Sequence, residues 1–153
     1  MAFIPFNRPY AGREAGDFIA EALRSGHHSG DGPWAARVNE KLSEMTGGGR
    51  VFLTPSGTDA LELACMAAGI GAGDEVIVPS FTFSSTATAP ERQGAVVRFA
   101  DVDPVTFGLD PESVRSVMSE RTKAIITVHY GGQATNIAAL TELADTAGAQ
   151  LVE

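Results

Sequence analysis

The spacing of apolar residues divides the chain into a helical beginning and an alternating remainder. Phe18 and Ala22 recur at the helical interval, which predicts a helix within residues 11–25. A second helix is predicted to begin at Pro33, because proline is favoured in a first helical turn, and to end at Gly47–Gly49. The beginning of the chain is therefore expected to consist of two helices joined by a glycine-containing loop.

In the remainder, short β-branched apolar runs alternate with helical segments. The predicted strands are Val51–Thr54, Glu75–Pro79, Ala95–Ala100, Ala124–Val128 and Ala149–Val152. The predicted helices are Thr58–Ala68, a Ser/Thr/Ala segment that ends at Arg92, Pro111–Ser119 and Ile137–Ala147. This alternation is typical of βαβ units, so we expect an α/β fold with a mostly parallel sheet and helices on both faces. Ligands of such sheets bind beyond the carboxyl ends of the strands.

The composition narrows the classes of function. The chain has 153 residues, 44% of them hydrophobic and 20% charged, which indicates a folded globular protein. Its net charge of −8 argues against non-specific binding to nucleic acid or to an anionic membrane surface. No apolar stretch approaches the roughly 20 residues that span a bilayer, and the first residues lack a secretory pattern, so we expect a cytoplasmic protein. The single cysteine, Cys65, excludes an internal disulfide, and no metal site is predicted.

A candidate anion site follows the first predicted strand. Ser56 is a natural N-cap and Asp59 completes a pattern similar to a capping box. The backbone amides of Gly57 and Thr58 lie at the start of a helix, where unpaired N–H groups and the helix dipole favour a phosphate. The alternative is an ordinary capped helix, and the motif alone leaves both open.

Aromatic and acidic residues follow the next two strands. In the segment Pro79–Thr86, one of the two phenylalanines would stack on a planar ligand while hydroxyls orient it, or both rings would fill the core. Asp101, Asp103 and Asp110 suggest a metal site at first sight, but an Asp-Pro pair after a strand is more typical of turn chemistry.

Three further features of the sequence have no predicted catalytic role. His129 lies at a strand end, where it would act as an acid or base, although a buried histidine that bonds a backbone carbonyl is favoured. Gly30–Ala35 matches a dinucleotide pattern but follows a helix instead of a strand, so we reject that interpretation. The two lysines, Lys41 and Lys123, are not placed to form a Schiff base at the expected site.

Several motifs taken together point to one family. They are Ile4–Asn7, Ser29–Gly32, Thr54–Leu61, Gly73–Phe83, Val102–Pro104 and Val128–Gly132, in this order along the whole chain. The chain thereby resembles the N-terminal part of the pyridoxal-phosphate-dependent sugar aminotransferases of the DegT/DnrJ/EryC1/StrS family. The resemblance implies a fold type I large domain of the PLP transferases and pyridoxal 5'-phosphate as the cofactor.

The resemblance also implies roles for individual residues. Gly57 and Thr58 would hold the cofactor phosphate with Ser56 beside them, and Phe83 would stack on the pyridine ring in a pocket lined by Ser84 and Thr86. A nucleotide-linked keto-sugar would contact His28, Ser29, Asp31 and Gln133. Glutamate would be the amino donor, the keto-deoxy-sugar nucleotide the acceptor, and the intact enzyme a homodimer.

The chain departs from the family pattern at its end. It matches only Val152-Glu153 of a motif whose next residue, an aspartate, pairs with the pyridine nitrogen, and the Schiff-base lysine and small C-terminal domain of the family lie further on. We therefore expect residues 1–35 to form an N-terminal helix and substrate-facing loop, residues 36–153 to form an incomplete cofactor domain, and the chain alone not to transaminate. A related sugar dehydratase and a non-catalytic, oligomerising remnant remain alternatives.

Overall fold

The computed structural model describes residues 3–5 and 7–153, so Phe6 of the Ile4–Asn7 motif lies outside the described residues. The chain divides into two compact units, Met1–Leu53 and Thr54–Glu153. In the described part of the chain, no helix combines the length and the apolar character needed to cross a membrane.

The first unit contains the two predicted helices. Helix α1 spans Ala15–Ser25 and ends at Gly26, whose φ of 70° is the left-handed conformation that glycine adopts without strain. Helix α2 spans Pro33–Met45 with its proline in the first turn. Within α2, the guanidinium of Arg37 lies 4.2 Å from the centroid of the Trp34 ring, which is a cation–π contact.

The second unit is a four-stranded sheet with connecting helices. In chain order its elements are α3 (Gly57–Ala67), β1 (Glu75–Pro79), α4 (Ser85–Arg92), β2 (Val96–Ala100), α5 (Pro111–Val117), β3 (Thr122–Ile126), a short 3-10 turn (Tyr130–Gly132), α6 (Ile137–Ala147) and β4 (Gln150–Val152). The strand order is β2-β1-β3-β4, and all three pairings are parallel. The prediction of a mostly parallel sheet is confirmed.

One predicted strand is wrong. Residues 51–54 form no strand in the structure, and the sheet begins with β1 instead. A strand needs a neighbour with which to exchange backbone hydrogen bonds, and none of the three strand pairings includes residues 51–54. The run Val51–Thr54 therefore has the side chains of a strand without the pairing that makes one.

Apolar side chains cover both faces of the sheet. On one face Ile77 and Ile125 pack with Val114 of α5 and Leu140 of α6. On the other face lies a second cluster that includes Val76, Val78, Ala124 and Ile126 of the strands together with Cys65 of α3 and Ala89 of α4. Because successive strand residues point to opposite faces, β1 is buried on both, and the prediction of helices on both faces is confirmed.

An ion-pair network around one buried carboxylate lies at the amino end of the sheet. The carboxylate of Glu75, only 1% exposed, accepts hydrogen bonds from Arg98 at 2.7 Å, from the Arg121 side chain and from the Ser119 hydroxyl at 2.8 Å. These hydrogen bonds lower the pKa of Glu75 to about 2, and the bond from Arg98 contributes most. They connect β1 with β2 and with the segment that leads into β3, so the network stabilises the end of the sheet opposite the strand ends where ligands bind.

Candidate cofactor site

A cavity of about 400 Å³ lies among the helix starts and loops that surround the carboxyl end of the sheet. The residues that line it come from the start of α3, from the segment after β1 and from the segment after β3: Gly57, Thr58, Leu61, Thr82, Phe83, Ser85, Thr86, Val128 and Tyr130. Four residues predicted to bind the cofactor, Gly57, Thr58, Phe83 and Thr86, are therefore brought together. Ser56 and Ser84 are next to lining residues in sequence but do not line the cavity themselves.

The start of α3 supplies unpaired hydrogen-bond donors to this cavity. Gly57 and Thr58 are the first two helical residues, so their N–H groups have no intrahelical acceptor one turn earlier. A side chain built on Gly57 would meet no atom within 4 Å, which shows that the backbone is accessible there. Two amides and the positive end of the helix dipole can thus face an anion.

Ser56 is already engaged by its own helix. Its hydroxyl oxygen accepts a hydrogen bond from the backbone N–H of Asp59 at 3.1 Å and donates one to the Asp59 carboxylate at 2.6 Å. In a capping box the acidic side chain would instead accept from the backbone N–H of the N-cap residue. A phosphate at this helix start would accordingly depend on the amides of Gly57 and Thr58 more than on the Ser56 hydroxyl.

The segment after β1 supplies an exposed ring and a buried hydroxyl. Phe83 is 73% exposed and Phe81 45% exposed, so the alternative in which both rings fill the core is wrong. The hydroxyl of Thr86 is buried and lies 2.8 Å from that of Thr82. Ser84 is the N-cap residue of α4 but makes no capping hydrogen bond with its side chain. The ring of Phe83 is therefore available to a ligand in the cavity.

Sequence reasoning missed an aromatic cluster beside the cavity. Phe81, Phe107 and Tyr130 pack with centroid distances of 4.6 Å between Phe81 and Tyr130 and 5.8 Å between Phe81 and Phe107. Phe107 has a φ of 58°, which is unusual for a residue with a side chain. Because Tyr130 also lines the cavity, the cluster forms part of its surroundings. The available signal was position alone: each of the three rings follows a strand end.

His129 has partners other than the predicted one. Its Nδ1 accepts a hydrogen bond from the backbone N–H of Thr135 at 3.2 Å, and its Nε2 lies 2.9 Å from a carboxylate oxygen of Glu153. The favoured expectation of a buried histidine bonded to a backbone carbonyl is wrong, since the imidazole is partly exposed and joins an amide to a carboxylate.

The acidic residues after β2 have structural roles. Asp103 accepts hydrogen bonds from the backbone N–H groups of Thr106 and Val105, which lower the pKa of its carboxyl group. Asp110 caps α5 by accepting from the N–H of Glu112. Among the described residues there is no group of three His, Cys, Asp or Glu side chains that could hold a metal ion.

The residues predicted to contact the substrate are divided between the two units. His28, Ser29 and Asp31 are exposed and belong to the first unit. Gln133 is exposed, directly follows the 3-10 turn of the second unit, and does not line the cavity. Their role in substrate binding stays a prediction.

Comparison with known proteins decides the family. Residues 9–153 match the sequence profile of the DegT/DnrJ/EryC1/StrS aminotransferase family. The chain belongs to this family. The family prediction made from the dispersed motifs is therefore confirmed.

Three relatives illustrate the match. The spore coat polysaccharide biosynthesis protein SpsC of Bacillus subtilis (strain 168) is 37% identical over 151 residues, which are 99% of this chain and 39% of SpsC. The crystal structure of 3-amino-5-hydroxybenzoic acid synthase superposes with a TM-score of 0.88 at 35% identity, over 94% of this chain and 38% of that one. The structure of NtdA from Bacillus subtilis, solved with bound cofactor PMP, gives a TM-score of 0.83 at 30% identity, over 88% of this chain and 31% of that one.

These matches fix the fold and the cofactor class. The chain spans about two fifths of the length of the first two relatives, and its fold matches that part of a PLP-dependent aminotransferase. Pyridoxal phosphate and its amine form are the cofactors of the family. The described residues fit such a group, because the cavity offers two unpaired amides at one side and an exposed aromatic ring at another.

Proposed function

We propose that this chain provides the phosphate- and ring-binding part of a nucleotide-sugar aminotransferase. One observation carries the proposal: a single cavity is lined both by the start of α3 and by the ring of Phe83. An anionic phosphate and a flat pyridine ring, joined in one small molecule, match these two features. In the complete reaction, glutamate would donate an amino group and a nucleotide-linked keto-deoxy-sugar would accept it.

Each residue would have a definite task. The N–H groups of Gly57 and Thr58 would donate to phosphate oxygens, and the exposed ring of Phe83 would cover one face of the pyridine. Thr86 would orient the ring from the buried side, with Ser84 at the start of α4. The cofactor itself supplies the electron sink of transamination when bound.

The substrate side is proposed from the family alone. His28, Ser29 and Asp31 in the loop before α2, and Gln133 in the second unit, would contact the sugar nucleotide. We also propose the division into residues 1–35, facing the substrate, and residues 36–153, binding the cofactor, together with assembly as a homodimer. With these assignments, the proposal covers the substrate as well as the cofactor.

We assign the Schiff base to neither lysine of this chain. Lys41 pairs with Glu44 on the exposed side of α2, and Lys123 is the second residue of β3, at the end of the sheet opposite the cavity. A Schiff base requires an amine beside the cofactor carbonyl. We therefore expect these 153 residues alone not to turn over a keto-sugar nucleotide with glutamate, and a measured turnover would contradict this.

Binding of pyridoxamine phosphate tests the proposal. This compound has no aldehyde, so it does not react with Lys41 or Lys123, and its fluorescence reports binding directly. We expect it to bind more tightly than pyridoxamine, which lacks the phosphate. Equal affinities for the two compounds would refute the phosphate cradle.

A pair of variants tests the stacking role of Phe83. Phe83→Leu keeps an apolar side chain without the flat ring and should weaken binding of pyridoxamine phosphate roughly two- to tenfold, the loss expected of one aromatic stacking contact. Phe99→Leu is the matched control, because the ring of Phe99 is also exposed but does not line the cavity. Equal effects of the two substitutions would argue against stacking on Phe83.

A further inference from the structure

The imidazole of His129 connects the carboxyl ends of β3 and β4. A backbone amide can only donate, so the Nδ1 that faces the N–H of Thr135 at 3.2 Å must carry a lone pair. The neutral ring then has its proton on Nε2, which lies 2.9 Å from a carboxylate oxygen of Glu153, a group that only accepts. A single tautomer of the neutral ring satisfies both contacts.

Close packing holds the amide that selects this tautomer. Thr135 is buried, and a Cβ added to Gly108 would lie 2.1 Å from its Cγ2 atom, so the loop after β2 is pressed against it. The hydroxyl of Thr127 donates to the Thr135 hydroxyl at 3.4 Å. Thr135 therefore has little freedom to turn its N–H away from His129.

The same region is joined to β4 through the backbone. The N–H of Thr127 donates to the carbonyl of Val152 at 2.8 Å, one residue before Glu153. The side-chain pair of His129 and Glu153 thus adds a second link directly beyond the last backbone link between the two strands.

We propose that His129 is a positioning residue that, fixed as its Nε2–H tautomer by the amide of Thr135, holds the carboxylate of Glu153 at the carboxyl end of β4. His129 lies in sequence between Val128 and Tyr130, which line the cavity, so the pair places the carboxylate at the same end of the sheet as the candidate cofactor site. This inference rests on the proposed function only for the identity of the ligand at that edge. The hydrogen bonds of His129 are present without a ligand, so the inference can be tested on the chain alone.

The tautomer is measured by nitrogen NMR of the full chain labelled with ¹⁵N at histidine. The spectra are recorded at pH 8, and the chemical shift of each ring nitrogen reports whether that nitrogen carries the proton. The sequence has three histidines, and the signal that disappears in His129→Gln identifies the one in question. We expect this signal to show the proton on Nε2 alone, and a proton on Nδ1 or an even mixture of tautomers would overturn the proposal.

Two substitutions separate positioning from mere packing. The amide of Gln reaches the position of Nε2 and can still donate to Glu153, whereas the shorter Asn cannot. We expect hydrogen exchange at the Thr127 amide to accelerate roughly fivefold in His129→Asn, the factor equivalent to about 1 kcal/mol for one lost hydrogen bond, and to be restored towards the parent rate in His129→Gln.

Equal acceleration in both variants would show that the ring acts by volume and would overturn the proposal. If His129→Asn does not fold, the tautomer measurement on the parent chain decides the question. Failure of pyridoxamine phosphate to bind would count against the proposed function and leave both of these measurements unchanged.

Discussion

Replacement of Gly108 by alanine tests the tight contact between the loop after β2 and the loop after β3. The new Cβ would lie 2.1 Å from Cγ2, 2.9 Å from Cβ and 3.2 Å from Cα of Thr135. The φ of Gly108 is not in the left-handed range, so the cost of the substitution is one of space and not of backbone conformation.

The loss of stability in Gly108→Ala depends on how far Thr135 can shift to make room for the new Cβ. Carbon atoms pack at about 3.5–4.0 Å, so the contact at 2.1 Å must open by more than an ångström. Thr135 is buried and β-branched, and its backbone lies in the contact as well, so a change of rotamer does not relieve the overlap. We therefore expect Gly108→Ala to lower the free energy of unfolding by about 1–3 kcal/mol, the range for overpacked sites.

Urea unfolding followed by circular dichroism measures this change. Gly71→Ala is the matched control, because its new Cβ would meet no atom within 4 Å and its φ is also ordinary. It should leave stability unchanged or raise it by about 0.4–1 kcal/mol through the unfolded state. A loss in Gly71→Ala equal to that in Gly108→Ala would show that glycine removal itself is responsible.

A double variant assigns the loss to Thr135. Thr135→Ser deletes the Cγ2 atom that makes the shortest contact, so the combination of Gly108→Ala with Thr135→Ser should lose less stability than the sum of the single changes. Strict additivity within about 0.5 kcal/mol would refute the contact as the cause.

Three other perturbations address the core, the helix cap and the ion-pair network. Leu140→Ala, at a fully buried position against the sheet, should lower the free energy of unfolding by about 2–5 kcal/mol in urea titration, and a loss below 1 kcal/mol would contradict its place in the core. Ser56→Ala removes the cap of α3 and should cost about 1 kcal/mol in the same assay, whereas an unchanged urea midpoint would show that the hydroxyl does not stabilise the helix. Glu75 has its pKa lowered from 4.5 to about 2 by folding, so its contribution to stability is complete above pH 4.5 and is lost as the pH falls towards 2. The urea midpoint should fall less over this range in Glu75→Gln than in the parent chain or in Glu120→Gln, and parallel profiles would refute this assignment.

The fold could be predicted because it depends on local patterns. The structure reproduces the strand Glu75–Pro79 and the helix Ile137–Ala147 to the residue. Both elements combine buried apolar positions with clear boundaries. The helix ends at Gly148, which adopts the left-handed conformation. The run Val51–Thr54 has the same kind of side chains, but pairing is a property of the whole sheet and cannot be deduced from one segment.

The candidate site could be predicted only in part for a related reason. The start of α3 and the ring of Phe83 each carry a local signal, a capped helix start and an aromatic residue after a strand. Tyr130 lines the same cavity because β3 lies directly beside β1, although β2 comes between them in the sequence. The partner of His129 depends likewise on the pairing of β3 with β4. Contacts that depend on the order of the strands in the sheet cannot be predicted from sequence motifs alone.

The amino end of the sheet stabilises the fold, whereas the carboxyl end carries groups that are available to a ligand. At the amino end, Glu75 is buried and fully paired, so it has no remaining capacity for a ligand. At the carboxyl end, the first amides of α3 have no intrahelical acceptor and the ring of Phe83 is exposed, so both remain available to a ligand. A ligand that binds only the folded chain stabilises it by an amount that grows with the logarithm of the ligand concentration divided by Kd. At one concentration, pyridoxamine phosphate should therefore raise the melting temperature of Glu75→Gln as much as that of the parent chain, and raise that of Phe83→Leu less.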